Sequence, residues 1–252
     1  MTMSSTRDVV WRELAELSSY HLQTGWLLAR WLEKHPVRGP VLDVGCGTMP
    51  FRGLFGQEIP WYGVDTAAPA RAAAPVVIGR MERLPFCDGA FSMVLSTFSL
   101  HHGRDPGVSL REMRRILAED GMLVLTVPSN MYLAYRLPLW LCPPNLVVRK
   151  AFDRSTLGRL MEDAGFESIV ADRCGGLLCQ LYEHVLSSLS KAQVRPSRAI
   201  EDNCATAKPA PWNRKTLRRY ATRLLAAAEH FSGARALGSG IWFAAATRRG
   251  HP

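Results

Sequence analysis

Two acids, each closing a short apolar run, are the first chemistry legible in this 252-residue chain. Val41-Leu-Asp-Val-Gly-Cys-Gly-Thr48 reads as a buried parallel strand ending in a tight Gly-x-Gly turn. Such a turn brings backbone N–H groups up to a ligand with no side chain in the way. Trp61-Tyr-Gly-Val-Asp65 is a second apolar run ending in an acid. Asp65 follows Asp43 by 22 residues, near the roughly 20-residue offset at which doubly wound folds place a ribose-binding carboxylate. One planar carboxylate can accept from two adjacent hydroxyls, so the pair points to a nucleoside-containing cofactor. A third feature, His101-His102, lies just after a later apolar run. Imidazoles titrate near neutrality and can take a proton from an attacking hydroxyl.

The elements that must position these residues follow from periodicity. Trp11, Leu14, Leu17, Leu22, Trp26, Leu27 and Trp31 recur at helical spacing, so one or two helices are expected over 7–34, ended by Pro36 and Gly39-Pro40. Strands are expected at 41–44, 61–64, 76–78, 91–96, 121–127, 168–171 and 241–246. Amphipathic helices fall at 109–118 and 154–164, and two more at about 178–190 and 213–231. Alternating strands and helices imply a parallel sheet with right-handed crossovers. Residues 129–152 and 173–237 break the rhythm. Ligands of open α/β sheets sit at the carboxyl ends of the strands, so insertions over that edge are natural substrate caps.

Composition narrows the class. The length suits one α/β domain with insertions, and 47% hydrophobic residues argue against wholesale disorder. The six cysteines include no Cys-x-x-Cys pair, which argues against zinc or a disulfide framework and fits a reducing, cytoplasmic setting. No signal-peptide core is visible at the N-terminus. The most apolar window, 131–148, is interrupted by Arg136, Pro138, Pro143 and Pro144, too broken for a membrane span of about 20 residues. Nine of the basic residues fall between Lys191 and Arg223 against two acids, so +7 of the net +9 sits in one stretch. That clustering suits an anionic acceptor, a membrane surface or nucleic acid.

Together the segments VLDVGCG (41–47), YGVD (62–65), ERLPFCDGAFSMVLSTFSLHH (82–102), LREMRRILAEDGMLVLTVPSN (110–130) and LMEDAGFE (160–167), in this order, resemble the class I S-adenosylmethionine-dependent methyltransferases of type 11. The resemblance covers about residues 38–170, with 238–248 similar to the family's last strand. It implies an α/β fold, a Rossmann-like seven-stranded and mostly parallel sheet with an antiparallel last strand, helices on both faces and helical cap insertions. The implied organisation is an N-terminal helical cap over 1–38, a cofactor-binding core over 39–172 with 238–248, and substrate caps over 129–152 and 173–237. The implied cofactor is S-adenosyl-L-methionine, leaving S-adenosyl-L-homocysteine, with no metal.

In that resemblance Gly45, Cys46 and Gly47 form the loop beside the methionine part of the cofactor, and Asp43 orients the loop or meets the amino group through water. Asp65, with Thr66 next to it, accepts from the ribose hydroxyls; Met81 and Glu82 lie beside the adenine; Ser96, Thr97 and Phe98 line the cofactor near its sulfur. Two departures stand out. Met49 and Pro50 follow Thr48 where the family often has a further glycine, and Arg80 stands where an acid usually reads the adenine amino group. Arginine cannot accept that hydrogen bond.

Methyl transfer from a sulfonium is an in-line displacement, so the protein must mainly align acceptor and methyl and exclude water. His102, or its neighbour His101, is the candidate base for a hydroxyl acceptor. Tyr20, Tyr132, Tyr135 and Trp140 are candidate acceptor contacts in an apolar, aromatic roof, which suits a small organic acceptor, anionic or lipid-linked. O-methylation in specialised or cell-envelope metabolism is the favoured reading, by a monomer or homodimer with contact to a membrane surface left open. RNA as acceptor is the alternative, but only Trp212 and Tyr220 interleave the basic stretch as stacking platforms. A non-catalytic cofactor binder is the other alternative. A dinucleotide site would favour Gly-x-Gly-x-x-Gly, and position 50 is proline.

Overall fold

The computed structural model describes residues 3–131, 150–183, 220–224 and 241–248. Strands β1 (Val41–Val44), β2 (Trp61–Asp65), β3 (Val76–Ile78), β4 (Phe91–Thr97), β5 (Leu117–Pro128), β6 (Phe166–Cys174) and β7 (Ile241–Arg248) form one sheet in the order β3-β2-β1-β4-β5-β7-β6. The first five run parallel, and β7 lies antiparallel between β5 and β6. This is the mostly parallel seven-stranded sheet with an antiparallel last strand that the motifs imply.

Helices cover both faces because the central strands bury both. On one face α1 (Met3–Leu17) and α2 (Ser19–Lys34) contribute Leu14, Leu22 and Leu28 to a cluster with Met93, Leu95 and Val124. On the other, α3 (Pro106–Ile116) and α4 (Arg154–Asp163) set Leu110, Met113 and Met161 against Val94, Leu123 and Leu125. Alternate residues of β4 and β5 thus serve opposite faces, the period-2 rule of a strand. The helices start where capping chemistry dictates. The Ser18 hydroxyl accepts from His21 N at 3.2 Å, which divides the 7–34 run into two helices. The Asp105 carboxylate accepts from Gly107 N and Val108 N, and Pro106 opens α3 three residues before its expected start. The chain turns directly from Ile116 into β5, four residues earlier than the apolar run predicts, because Leu117 pairs with Phe91 across an irregular register.

The β1–β2 connection carries a single 3-10 turn, Arg52–Leu54, instead of an α-helix. Its fill is aromatic: Phe51 is fully buried and Phe55 meets Trp61 edge-on at 4.6 Å. Its backbone carbonyls need donors that a helix would otherwise supply. Arg52 supplies them, its guanidinium reaching Gly56 O at 3.0 Å and the carbonyls of Phe55, Gln57 and Ile59 at 3.3–3.4 Å while lying over the Trp61 ring. Of the expected cap helices, 177–183 and 220–224 are helical, joined by a hydrogen bond from Thr222 Oγ1 to Tyr182 Oη; the rest of both lies outside the described residues.

Arg52→Lys keeps the charge and loses the fork. It should destabilise the protein by about 1–3 kcal/mol, since a point charge cannot serve four carbonyls. The check is the urea midpoint against wild type; an unchanged midpoint removes this role for Arg52.

Candidate active site

The carboxyl ends of β1, β2, β3 and β4 converge on a cavity of about 300 Å³. Val44 and Gly45 at the end of β1, Asp65 and Thr66 after β2, Gly79 to Glu82 after β3, and Phe98, Ser99, His102 and Gly103 after β4 line it. Register explains the convergence. Val44 pairs with Val64 and Asp65 with Ile78, so three adjacent strands stop within a residue of one another.

The turn after β1 is held from below and beside. Gly45 has φ +70 and passes so close to β4 that a Cβ there would lie 2.3 Å from Ser99 Cβ. Ser99 Oγ donates to Val44 O at 2.7 Å and lies 2.8 Å from Ser96 Oγ, joining the β1 and β4 ends. Gly47 has φ +47, a Cβ there would meet nothing within 4 Å, and its N–H donates to Asp65 Oδ2 at 2.9 Å. Met49 also takes a positive φ of 58, a conformation costing an ordinary residue about 1–2 kcal/mol. Its side chain is 2% exposed and fills the space over Gly63, where a Cβ would fall 2.2 Å from Met49 Cε. The bulkier loop is therefore accommodated by a missing side chain on β2.

Electrostatics single out Asp43. It is 1% exposed and neither carboxylate oxygen has a hydrogen-bond partner among the described residues. Burial, reinforced by the negative charge of Asp65, pushes its pKa well above the ordinary carboxylate value. The same surroundings push the Cys46 thiol up to about 12. Asp65 lines the cavity, Oδ1 accepting from Thr66 N at 2.7 Å. After β3, Glu82 Oε1 accepts from Arg104 N at 2.7 Å, and Oε2 lies 3.7 Å from Arg80 Nε.

The two histidines part company. They sit on a 3-10 turn, Leu100–His102, whose successive side chains point about 120° apart. His101 is 5% exposed, its Nδ1 has no hydrogen-bond partner among the described residues, and burial holds it neutral with a pKa lowered to about 3. His102 is exposed and faces the cavity, 4.0 Å from the His101 ring. A third imidazole, His21 on α2, packs at 4.7 Å from Phe98 and 6.0 Å from Phe51, with Nδ1 2.7 Å from Ser18 Oγ. Burial lowers its pKa to about 4.

A family model described as a methyltransferase domain matches residues 20–171. The chain belongs to that methyltransferase family. The malonyl-[acyl-carrier protein] O-methyltransferase of Alcanivorax borkumensis is 34% identical over 113 residues, 39% of this chain and 38% of the relative. The demethylmenaquinone methyltransferase of Mycolicibacterium vanbaalenii is 39% identical over 71 residues, 27% of this chain and 31% of the relative. Matches to the first curated relatives span 31% to 49% of their length. A solved SAM-dependent methyltransferase from Archaeoglobus fulgidus superposes with a TM-score of 0.52 at 17% identity, over 89% of this chain and 94% of that one.

The cofactor of this methyltransferase is S-adenosylmethionine, and the cavity fits it. The wall presents the Asp65 carboxylate, which can accept from a pair of adjacent hydroxyls, and the buried Asp43 lies behind it. Of the residues read from sequence, Gly45, Asp65, Thr66, Met81, Glu82, Phe98 and His102 stand on the cavity wall. Asp43, Cys46, Gly47, Ser96 and Thr97 stand behind or beside it, and His101 is turned into the core. Tyr20 is buried against the Gly175 backbone and is not on the wall. Tyr132, Tyr135 and Trp140 lie outside the described residues. Ser99 was missed; a serine two residues past a strand carries no signal until the strand's neighbours are known.

Because Asp43 binds more protons folded than unfolded between the ordinary value and its raised one, its contribution to stability falls as pH climbs above about 4. Asp43→Asn removes that penalty. The cofactor-free variant should melt above wild type at pH 7, by a margin that narrows toward pH 4, and should bind S-adenosylmethionine about tenfold more weakly or worse. Thermal melts at the two pH values and calorimetry check both halves. A variant less stable at pH 7 with unchanged affinity would contradict the assignment.

Proposed function

We propose that this methyltransferase transfers a methyl group to an oxygen of a small organic acceptor by in-line displacement. When bound, S-adenosylmethionine supplies an electrophilic methyl on a sulfonium. Asp65 accepts from the ribose hydroxyls, and Asp43, behind the wall, orients the loop or meets the amino end through water. The Gly45–Gly47 turn carries no side chain that would keep the cofactor from the backbone. Phe98 backs the reacting end: its N–H is pinned to Thr126 Oγ1 at 3.0 Å, and His21 braces its ring. His102 takes the acceptor's proton; His101 cannot, being buried and held neutral well below physiological pH.

The observation that carries the reading is His102, an exposed imidazole on the wall of an otherwise compact cavity and next to Phe98 and Ser99. A cavity of this size suits a small acceptor presented at its mouth. The named activities of the malonyl-[acyl-carrier protein] and demethylmenaquinone relatives support a small or carrier-linked acceptor. Residues 129–152 and 173–237 serve in this reading as the caps that shape acceptor entry.

The test offers the purified protein a panel of carboxylate, phenol and quinol acceptors, including a malonyl thioester, and follows formation of S-adenosylhomocysteine with mass spectrometry of the product. An O-methylated product is expected. With that acceptor His102→Ala should lower kcat by about 10²–10⁴ while cofactor affinity holds. Full activity in the variant, or methylation of RNA and none of the panel, would overturn the reading.

A further inference from the structure

The first turn of α2 is engaged on two sides. Ser18 and His21, three residues apart, share one side, and Ser19, Tyr20, Gln23 and Thr24 occupy the other. The first side meets the cavity wall: the His21 ring packs 4.7 Å from that of Phe98, with Ser18 Oγ 2.7 Å from its Nδ1. The second side meets the segment after β6 through polar groups. Glu183 Oε1 accepts from Ser19 N at 2.6 Å, Gln23 Oε1 accepts from Gly175 N at 2.8 Å, and Gln23 Nε2 donates to Cys179 Sγ at 3.1 Å. Gly175 has φ +70 and passes so close to Tyr20 that a Cβ there would fall 2.6 Å from its ring. Gln180 Nε2 donates to the Gly175 carbonyl at 2.9 Å. Ser19, Gln23, Gln180 and Glu183 are all buried.

A buried polar seam is a poor source of stability, because each donor and acceptor in it must first leave water. It supplies orientation instead. Leu22, Leu27 and Leu28 press α2 onto the sheet, but apolar contact is non-directional. Hydrogen bonds of fixed geometry settle the rotation and axial position of the helix, and that rotation aims His21. Its neighbour Phe98 takes φ +53, a conformation that ordinary residues rarely adopt and that persists where the surroundings over-determine it. Thr126 holds the Phe98 N–H, and His21 holds the ring. We infer that Glu183 is a positioning residue for methyl transfer: through Ser19 and His21 of α2 it keeps Phe98 in place on the cavity wall. The inference rests on the reading of Phe98 as the wall behind the reacting end. A carboxylate suits the task, since it meets both the orphan N–H and the positive end of the helix dipole. A glutamine amide could accept the same bond but brings no charge to that dipole.

Amide hydrogen exchange followed by NMR on the full chain tests it in wild type, Glu183→Gln and Gln23→Leu. Exchange at the Phe98 amide should quicken by about tenfold in both variants, while Val94 and Leu123 in the sheet interior keep their wild-type rates. With an acceptor in hand, Glu183→Gln should lower kcat by about tenfold at unchanged cofactor affinity. It should cost nothing further once Phe98→Ala has been made, because both changes break the same chain of contacts. A Phe98 amide indifferent to both substitutions, quickening shared equally by Val94 and Leu123, or losses in kcat that add, overturns the inference. The exchange readout needs no acceptor, so it decides the positioning role by itself. A panel that yields no methylated product removes the proposed reaction instead.

Discussion

A carboxylate buried without a hydrogen-bond partner is the constraint around which the site is arranged. Asp43 occupies the third position of a strand whose four residues are all buried, and both its oxygens lack hydrogen-bond partners among the described residues. Leaving an ionised group so placed is costly, and Asp65 nearby makes it costlier. The surrounding structure could have relieved this with a serine or a backbone N–H. Its donors go elsewhere: Ser99 bonds Val44 O, and the Gly47 N–H bonds Asp65.

The turn that presents this end shows how two irregular residues are made compatible with it. Glycine at position 49 would take a positive φ without cost, and an α-helix after it would satisfy its own carbonyls. The chain has neither. Met49 accepts the unfavourable backbone because its side chain replaces a missing one at Gly63, and burying a methionine returns about 1.5–3 kcal/mol against the 1–2 of the backbone. Arg52 then serves the carbonyls of the short crossover. Both compensations lie on the side of the loop away from the cavity, so the face that meets a ligand keeps the bare backbone of Gly45 and Gly47.

What could be read from the sequence was what local pattern determines. β1 and β2 are short apolar runs closed by acids, so Asp65 and the Gly-x-Gly turn were placed at the ends of the correct strands. Features set by distant contacts were not legible. The early start of β5 depends on Leu117 reaching Phe91, and the 3-10 crossover depends on Trp61 receiving Phe55 and Arg52 together. Nothing in the string Ser96-Thr-Phe-Ser99 says that the second serine, not the first, would tie two strands together.

The histidine pair shows the same limit at the scale of one bond rotation. Adjacent residues in a strand face opposite sides, in an α-helix they diverge by about 100°, and in a 3-10 turn by about 120°. Two neighbouring imidazoles are thus never equivalent, yet which one meets solvent depends on the phase of the turn. Here the phase is set by Ser99, anchored to β1, and by Gly103, whose carbonyl accepts from Lys150 Nζ at 3.0 Å. Those two anchors place His101 in the core beside Leu100 and bring His102 to the cavity. The exposed histidine owes its place at the cavity to a serine and a lysine 51 positions apart in the chain. The buried one contributes packing and a neutral ring against which the other rests.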